Sequence, residues 1–154
     1  GEEAVLLPLP EIVAELQADY DNSDRAFFIK EVAGGFQIVT RAEYENYVKR
    51  LFSKAGKLRL SQAAMETLAI VCYRQPVTRN DIESIRGVSS DSSLRTLLDR
   101  KLLEIRGRDE GPGRALLYRT SAEFLQYFGL NSINDLPKLR EVEDILIEEQ
   151  DELV

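Results

Sequence analysis

The spacing of apolar residues in the second half of the chain predicts three short helices followed by two strands. Apolar positions recur every three or four residues in LSQAAMETLAIVCYRQP, TRNDIESIRG and SSDSSLRTLLDRKLL, as they do in amphipathic helices. Two extended runs, LLEIRGR and RALLYRT, follow and are joined by the turn-forming DEGPG. Three helices followed by a two-stranded ribbon are typical of a winged helix.

Capping signals indicate where these helices begin and end. Ser61 is predicted to cap the first helix, and the pair Gln75-Pro76 to end it, because proline lacks a backbone donor. Thr78 and Asp81 have the spacing of a capping box, and Gly87 suits a left-handed exit. The predicted apolar positions are Ala64, Met65, Leu68, Ala69 and Cys72 in the first helix, and Leu94, Leu97, Leu98 and Leu102 in the third.

The first part of the chain predicts only a helix and a wing. A helix begins near Pro10, two strands rich in aromatic and branched residues meet at a turn at Gly34-Gly35, and another helix follows Thr40. This is the back half of a winged helix, so we expect a first domain that is incomplete at its N-terminus. The predicted division is a first domain at 1–56, a second at 57–137 and an acidic tail at 138–154. The expected fold class is mainly α with small β wings (α+β), with two tandem winged helices.

Two further features follow the second wing. Thr120 and Glu123 are spaced as a capping box for a short helix over Ala122 to Phe128, which Gly129 is expected to end. The tail is helical by pattern and rich in acids. It could pack on a partner or fray in solution.

Charge and composition narrow the class of protein. The net charge of −7 divides into −4 for residues 1–56, +4 for 57–119 and −7 for 120–154. Neither a signal peptide nor an apolar run long enough to cross a bilayer is evident, and one cysteine allows no internal disulfide. We therefore expect a cytoplasmic protein in which Cys72 packs in the core.

The residues offer little for catalysis. The chain has no histidine and one cysteine, which removes the usual general base, zinc-ligand sets and cysteine–histidine pairs. We expect no enzymatic activity, catalytic residue, metal, cofactor or small-molecule substrate.

DNA binding is a weaker prospect than protein binding. The N-terminal end of a recognition helix normally enters the major groove, but here it carries Asp91 among serines. Wing residues Arg106, Arg108 and Arg114 suit at most weak contact with the phosphate backbone. A winged-helix transcription regulator stays open as the alternative, as does a winged-helix scaffold in some other complex.

Several short motifs occur in a specific order in the second half of the chain. They are LSQAAMETLAIV, Gln75-Pro76-Val77-Thr78-Arg79, Ile85-Arg86-Gly87-Val88, Leu94-Arg95-Thr96-Leu97-Leu98, the wing from Gly107-Arg108 to Pro112-Gly113-Arg114, and FLQYFGL ahead of Leu136-Pro137. Together these motifs resemble the ScpB family of bacterial segregation and condensation proteins. The resemblance covers roughly residues 11 to 140, and the order and spacing of the motifs are more specific than any single motif.

That resemblance implies a non-catalytic subunit that binds the kleisin ScpA and, through it, the SMC ATPase on the nucleoid. It implies a homodimer formed chiefly through the first domain, with Ile12, Leu16, Tyr20 and Phe27 as the expected contacts. The second domain is expected to bind a largely unstructured segment of the kleisin. The residues proposed for that surface are Tyr73, Gln75, Pro76, Arg79, Arg86 and Arg95.

Overall fold

A computed structural model describes residues 8–51 and 59–138 and divides the chain into two units, Gly1–Arg59 and Leu60–Val154. The first unit contains helix α1 (Leu9–Asn22), strands β1 (Phe27–Val32) and β2 (Gly35–Thr40), a 3-10 turn (Ala42–Tyr44) and helix α2 (Glu45–Leu51). The fold class is confirmed as α+β.

The hairpin of the first unit turns one residue earlier than predicted. Val32 pairs with Gly35, so the two-residue loop is Ala33-Gly34 and not Gly34-Gly35. Both loop residues have positive φ, +54° and +73°, which the primed turns of hairpins require. Alanine at the first of these positions carries no glycine signal, which explains the shift.

Side-chain contacts hold α1 to this hairpin, although few residues are buried. The ring of Tyr20 meets that of Phe27 edge to face at 5.1 Å, and the Ile29 N–H donates to Gln17 Oε1 at 2.7 Å. Val32 is the one residue in 8–51 that is fully buried. The described part of this unit therefore has almost no core of its own.

The second unit has the strand and helix order of a winged helix. Helix α3 (Gln62–Arg74) leads into strand β3 (Val77–Thr78), followed by α4 (Arg79–Arg86) and α5 (Asp91–Asp99). The wing is formed by β4 (Leu103–Arg108) and β5 (Leu116–Thr120); helix α6 (Ala122–Phe128) and a 3-10 turn (Ile133–Asp135) complete the unit.

The predicted two-stranded ribbon is a three-stranded sheet in the order β3-β5-β4. Strand β3 has only two residues, too few for a recognisable alternation, and it pairs through Val77 with Tyr118 on β5. The register between β4 and β5 shifts between Ile105 and Arg108, where Gly107 adopts φ +87°. This bulge bends the wing near its tip.

The core face of α3 differs from the prediction at two positions. Ala64, Leu68 and Cys72 are buried as expected, but Met65 is 46% exposed and Ala69 is also exposed. Their places are taken by Thr67 and Val71, both fully buried. Thr67 tolerates burial because its hydroxyl donates to the Ala63 carbonyl at 2.8 Å.

Most of the predicted caps are confirmed. Ser61 Oγ accepts from the Ala64 N–H, Thr78 and Asp81 form a reciprocal capping box, and Gly87 ends α4 at φ +71°. The cap of α6 is Ser121, whose hydroxyl accepts from the Phe124 N–H at 3.0 Å. The prediction of Thr120 with Glu123 was therefore one residue early, although Gly129 does end the helix.

Helix α5 ends earlier than its leucine pattern suggests. Lys101 has φ +56°, and the N–H groups of Lys101 and Leu102 donate to Leu98 and Leu97. These bonds form a Schellman motif with lysine where glycine is usual. Leu102 is 2% exposed, so it joins the core from the turn and not from the helix. The predicted acidic tail lies outside the described residues after Lys138.

The capping box of α4 gives a pH-dependent prediction. Hydrogen bonds from the hydroxyl and N–H of Thr78 lower the pKa of Asp81 below its usual 3.8. The ionised carboxylate therefore stabilises the fold above the unfolded-state pKa, and this contribution is lost as the pH falls through the folded-state pKa. We expect Asp81→Asn to destabilise the protein at pH 7, by about 1 kcal/mol as for other cap losses, and to cost less near pH 3. Urea unfolding at both pH values tests this; a cost that does not change with pH would contradict it.

Candidate partner-binding surface

No group of three or more His, Cys, Asp or Glu side chains is placed to hold a metal within 8–51 and 59–138. Burial raises the pKa of the Cys72 thiol to about 12, so it is protonated and packs in the core of the second unit. In the same ranges no helix is long and apolar enough to cross a membrane. The candidate sites described for this chain are surfaces.

A groove lies beside the base of the wing in the second unit. We call it the wing groove; it has a volume of about 640 Å3, and Gln75, Pro76, Arg106, Leu125, Asn131 and Ile133 are among its lining residues. A second groove, here the exit groove, is lined in part by Tyr73, Gln75, Ile133, Pro137 and Lys138. Because Gln75 and Ile133 line both, the two grooves form one continuous surface.

Gln75 fixes the junction of the two grooves. Its Oε1 atom accepts from the N–H of Thr120 at 2.7 Å and from the Thr120 hydroxyl at 3.0 Å. These bonds connect the end of α3 to the end of β5. Gln75 is half-buried, and its side-chain oxygen already has two donors, so its amide NH2 is the group left to contact a partner.

Tyr73 lies at the exposed end of α3 and borders the exit groove. Its ring is 37% exposed, and its hydroxyl donates to the Pro137 carbonyl at 2.9 Å. Neighbouring Pro76 is exposed and lines the wing groove. The structure thus brings Tyr73, Gln75 and Pro76 together on one surface.

Arg79 is held by carboxylates at the start of α4. Its guanidinium contacts Asp91 at 2.6 Å and Glu83 at 3.6 Å, and the hydrogen bond and charge of Asp91 raise the pKa of Arg79. The side chain remains about half exposed. Arg79 therefore links the starts of α4 and α5 and still presents charge to solvent.

Arg86 does not belong to the exposed surface on which it was expected. Its side chain is only 7% exposed, and Nη2 donates to Glu66 at 3.1 Å, between α4 and α3. Nε and Nη1 are buried with no hydrogen-bond partner in the described part of the chain. Burial of this residue was not foreseen because a long cation at a helix end is usually exposed.

The Arg86 site gives a stability prediction. Replacing a buried ion by an apolar side chain of similar length is often neutral or stabilising, because the desolvation of the charge is relieved. We expect Arg86→Met to remain within about 1 kcal/mol of the parent or exceed it, and Arg86→Ala to lose about 1–3 kcal/mol through lost packing. Urea unfolding distinguishes them. Equal losses in both variants would show that the ion pair itself stabilises the unit.

The remaining arginines are dispersed. Arg95 is exposed on α5 and lines neither groove. Of the residues considered for DNA, Arg106, Arg108 and Arg114 are exposed, and Arg108 Nη1 donates to the Arg114 carbonyl at 3.0 Å. The start of α5 is occupied by the pair of Asp91 with Arg79. A cation-rich helix start of the kind that reads base edges is therefore not present in α5.

An exposed apolar stripe on α3 was not anticipated as a surface. Met65, Ala69 and Tyr73 are spaced four residues apart, so they lie on one side of the helix, and all three are exposed. The signal in the sequence was Thr67 and Val71, whose burial rotates the core face away from Met65. Ile85 and Val88, each 56% exposed, were also missed.

The first unit carries its own exposed apolar face. Among the residues expected at a dimer contact, Ile12 is 44% and Leu16 is 39% exposed, and Leu9 on the same helix is 62% exposed. Tyr20 and Phe27 are half-buried against each other. The four residues thus divide into two exposed positions and two that hold the helix to the hairpin.

Comparison with known proteins assigns the family. A family model described as "Segregation and condensation complex subunit ScpB" matches residues 7–139, which is most of the chain. The chain belongs to the ScpB family. The resemblance expected from the sequence motifs is therefore confirmed.

Individual relatives agree with this assignment. The chain is 50% identical over 133 residues to segregation and condensation protein B of Geobacillus thermodenitrificans, covering 86% of this chain and 64% of that protein. It is 51% identical over 126 residues to the protein of the same name from Symbiobacterium thermophilum, covering 82% and 57%. The chain therefore spans less than two thirds of the length of these ScpB relatives. A crystal structure of ScpB from Mycobacterium tuberculosis is similar at 34% identity and a TM-score of 0.47, covering 79% of this chain and 75% of that one.

Proposed function

We propose that this chain is a non-catalytic subunit of a bacterial chromosome segregation and condensation complex. In this proposal it binds the kleisin ScpA and, through ScpA, the SMC ATPase, in the cytoplasm and on the nucleoid. The observation that carries the proposal is the family match over residues 7–139, because the family is described as a subunit of such a complex. We retain the proposed division into domains at 1–56 and 57–137.

The second unit supports the kleisin part of this proposal physically. Its grooves are open to solvent and are lined by an aromatic side chain, an exposed proline and exposed Arg106, while half-exposed Arg79 lies three residues beyond Pro76 in sequence. An extended segment without structure of its own binds best along such a surface, through a few anchors. We propose Tyr73, Gln75, Pro76 and Arg79 as the contacts, with Met65 as an addition from the structure.

The first unit supports the proposed homodimer. A two-stranded hairpin alone is marginally stable, and this one is accompanied by one fully buried side chain in 8–51. Covering Leu9, Ile12 and Leu16 against a second copy would supply the missing apolar burial. Tyr20 and Phe27 then support the contact from behind, because their rings already meet each other.

Size-exclusion chromatography with light scattering tests both parts. The chain is measured alone, with a purified ScpA-type kleisin fragment, and with a DNA duplex at low and physiological salt. We expect the mass of a dimer alone and a larger mass with the kleisin fragment. No kleisin complex, together with duplex binding that resists salt, would instead favour the transcription regulator. A chain that is monomeric but still binds the kleisin would contradict only the proposed homodimer.

A further inference from the structure

The described part of the second unit ends inside a groove. Tyr73 fixes the chain there through the hydrogen bond from its hydroxyl to the Pro137 carbonyl at 2.9 Å, and Lys138 lines the exit groove. Whatever follows Lys138 therefore starts within this groove. Residues 139–154 are the segment that follows.

From this point a continuous path leads to the base of the wing. The exit groove passes Ile133 and Gln75, which also line the wing groove, and the wing groove continues to Arg106. Sixteen residues in extended form reach up to about 55 Å, and about 24 Å as a helix. Either length exceeds what is needed to follow a groove on a unit whose described part has about eighty residues.

The charges of this path and of the tail are complementary. Residues 139–154 contain seven acidic residues and one basic residue, giving a net charge of −6. Arg106 is exposed in the wing groove and forms no salt bridge within residues 59–138. Arg119 in the same groove is paired with Glu104, which leaves Arg106 as the cation most open to a new carboxylate.

The apolar residues are complementary as well. The wing groove includes exposed Pro76 and Ala122 and the partly buried Leu125 and Ile133. The tail repeats apolar residues at helical spacing, with acids between them; these residues are Leu139, Val142, Ile145 and Leu146. An acidic, amphipathic segment is the chemistry that this groove fits.

We propose that the acidic tail, residues 139–154, folds back along the exit groove into the wing groove and contacts Arg106. Each exposed ion pair contributes little and is screened by salt. The tether compensates for this, because a short link raises the effective concentration of the tail to the millimolar range. The tail then covers Gln75 and Pro76.

This position makes the tail a competitor for acidic or amphipathic partners of the same groove. Competition with the kleisin follows only if the proposed function is correct, whereas the docking of the tail does not depend on it. Failure of the kleisin to bind would therefore leave the docking proposal standing.

A spin label on the tail tests the docking in the full chain. Gln150→Cys adds a thiol without removing a charge, and Cys72, which is 9% exposed with its pKa raised to about 12, reacts more slowly with a nitroxide reagent at pH 7 than an exposed thiol. We expect paramagnetic loss of amide signals at Arg106, Leu125 and Asn131 in the 15N-labelled protein, and recovery of those signals in high salt. The Arg106→Glu variant should restore them at low salt.

Arg95→Glu is the matched control, because Arg95 is exposed on α5 and lines neither groove. It should leave the signal loss at the groove unchanged. Equal broadening across the whole unit, or groove broadening that survives Arg106→Glu, would overturn the proposal. A second control mixes spin-labelled chains containing 14N with 15N-labelled chains that carry no spin label. Loss of groove signals in this mixture would also overturn the proposal, because the tail would then reach a second copy.

Discussion

Replacing Phe124 by alanine is expected to lower the free energy of unfolding of the second unit by about 3–5 kcal/mol. Phe124 is 2% exposed, and it inserts α6 into the same core as α3 and α5. Removing its ring deletes a large buried apolar area and leaves a cavity that rigid neighbours fill only partly. A loss of this size is comparable with the whole stability of many small domains, so partial unfolding at 37 °C is expected.

Tyr127→Ala is the matched control on the same helix. Tyr127 is 56% exposed, and its ring meets that of Phe128 edge to face, at 5.1 Å between centroids. Its loss should cost about 1 kcal/mol or less. Urea unfolding followed by far-UV circular dichroism measures both variants. Equal small losses would show that α6 opens independently of the core.

Replacing Tyr73 by alanine is expected to weaken binding of the kleisin fragment by about 30-fold or more, the loss typical of an aromatic anchor. The ring lies at the exposed end of α3, continues the stripe begun by Met65 and Ala69, and borders the exit groove. Tyr73→Phe keeps the ring and removes only the hydroxyl that donates to Pro137. It should therefore retain most of the affinity.

Isothermal titration calorimetry with the kleisin fragment measures these affinities. Tyr127→Ala again serves as the control, because it removes an exposed tyrosine that lines neither groove. Its affinity should equal that of the parent. Unchanged affinity in a folded Tyr73→Ala variant would exclude the α3 end as an anchor, and attention would move to Ile85 and Val88.

Local signals in the sequence were sufficient to predict most of the helices and both wing hairpins. Ser61, Thr78 with Asp81, and Gly87 act within one turn of the chain, so their spacing alone determines the caps that are observed. Three errors concern where an element begins or ends: the Ala33-Gly34 loop and the Ser121 cap each lie one residue from the predicted position, and the turn at Lys101 ends α5 before Leu102. Ala33 and Lys101 adopt positive φ, where glycine is the usual residue, whereas Ser121 and Thr120 are both suitable N-caps that spacing alone does not distinguish.

Which residues form the candidate binding surface was predicted less well from the sequence than the fold was. Tyr73, Gln75 and Pro76 were singled out and do lie together, because they follow each other closely along the chain. Arg86 was singled out for the same surface and is buried against Glu66, twenty positions away in sequence. Periodicity describes one helix at a time and contains no information about which cation meets which carboxylate.

The sequence by itself determined the order of the elements, their caps, the lack of histidine chemistry and the family, because each depends on neighbouring residues or on residue identity. The tertiary structure decided which residues distant from one another in sequence share a surface or the core. In the fold, Thr67 is buried and Met65 is exposed, and β3 pairs with the wing at Tyr118. The hydrogen bond between Gln75 and Thr120 connects the end of α3 to the base of the wing. These outcomes depend on contacts between residues tens of positions apart, where packing and hydrogen-bond satisfaction outweigh local propensity.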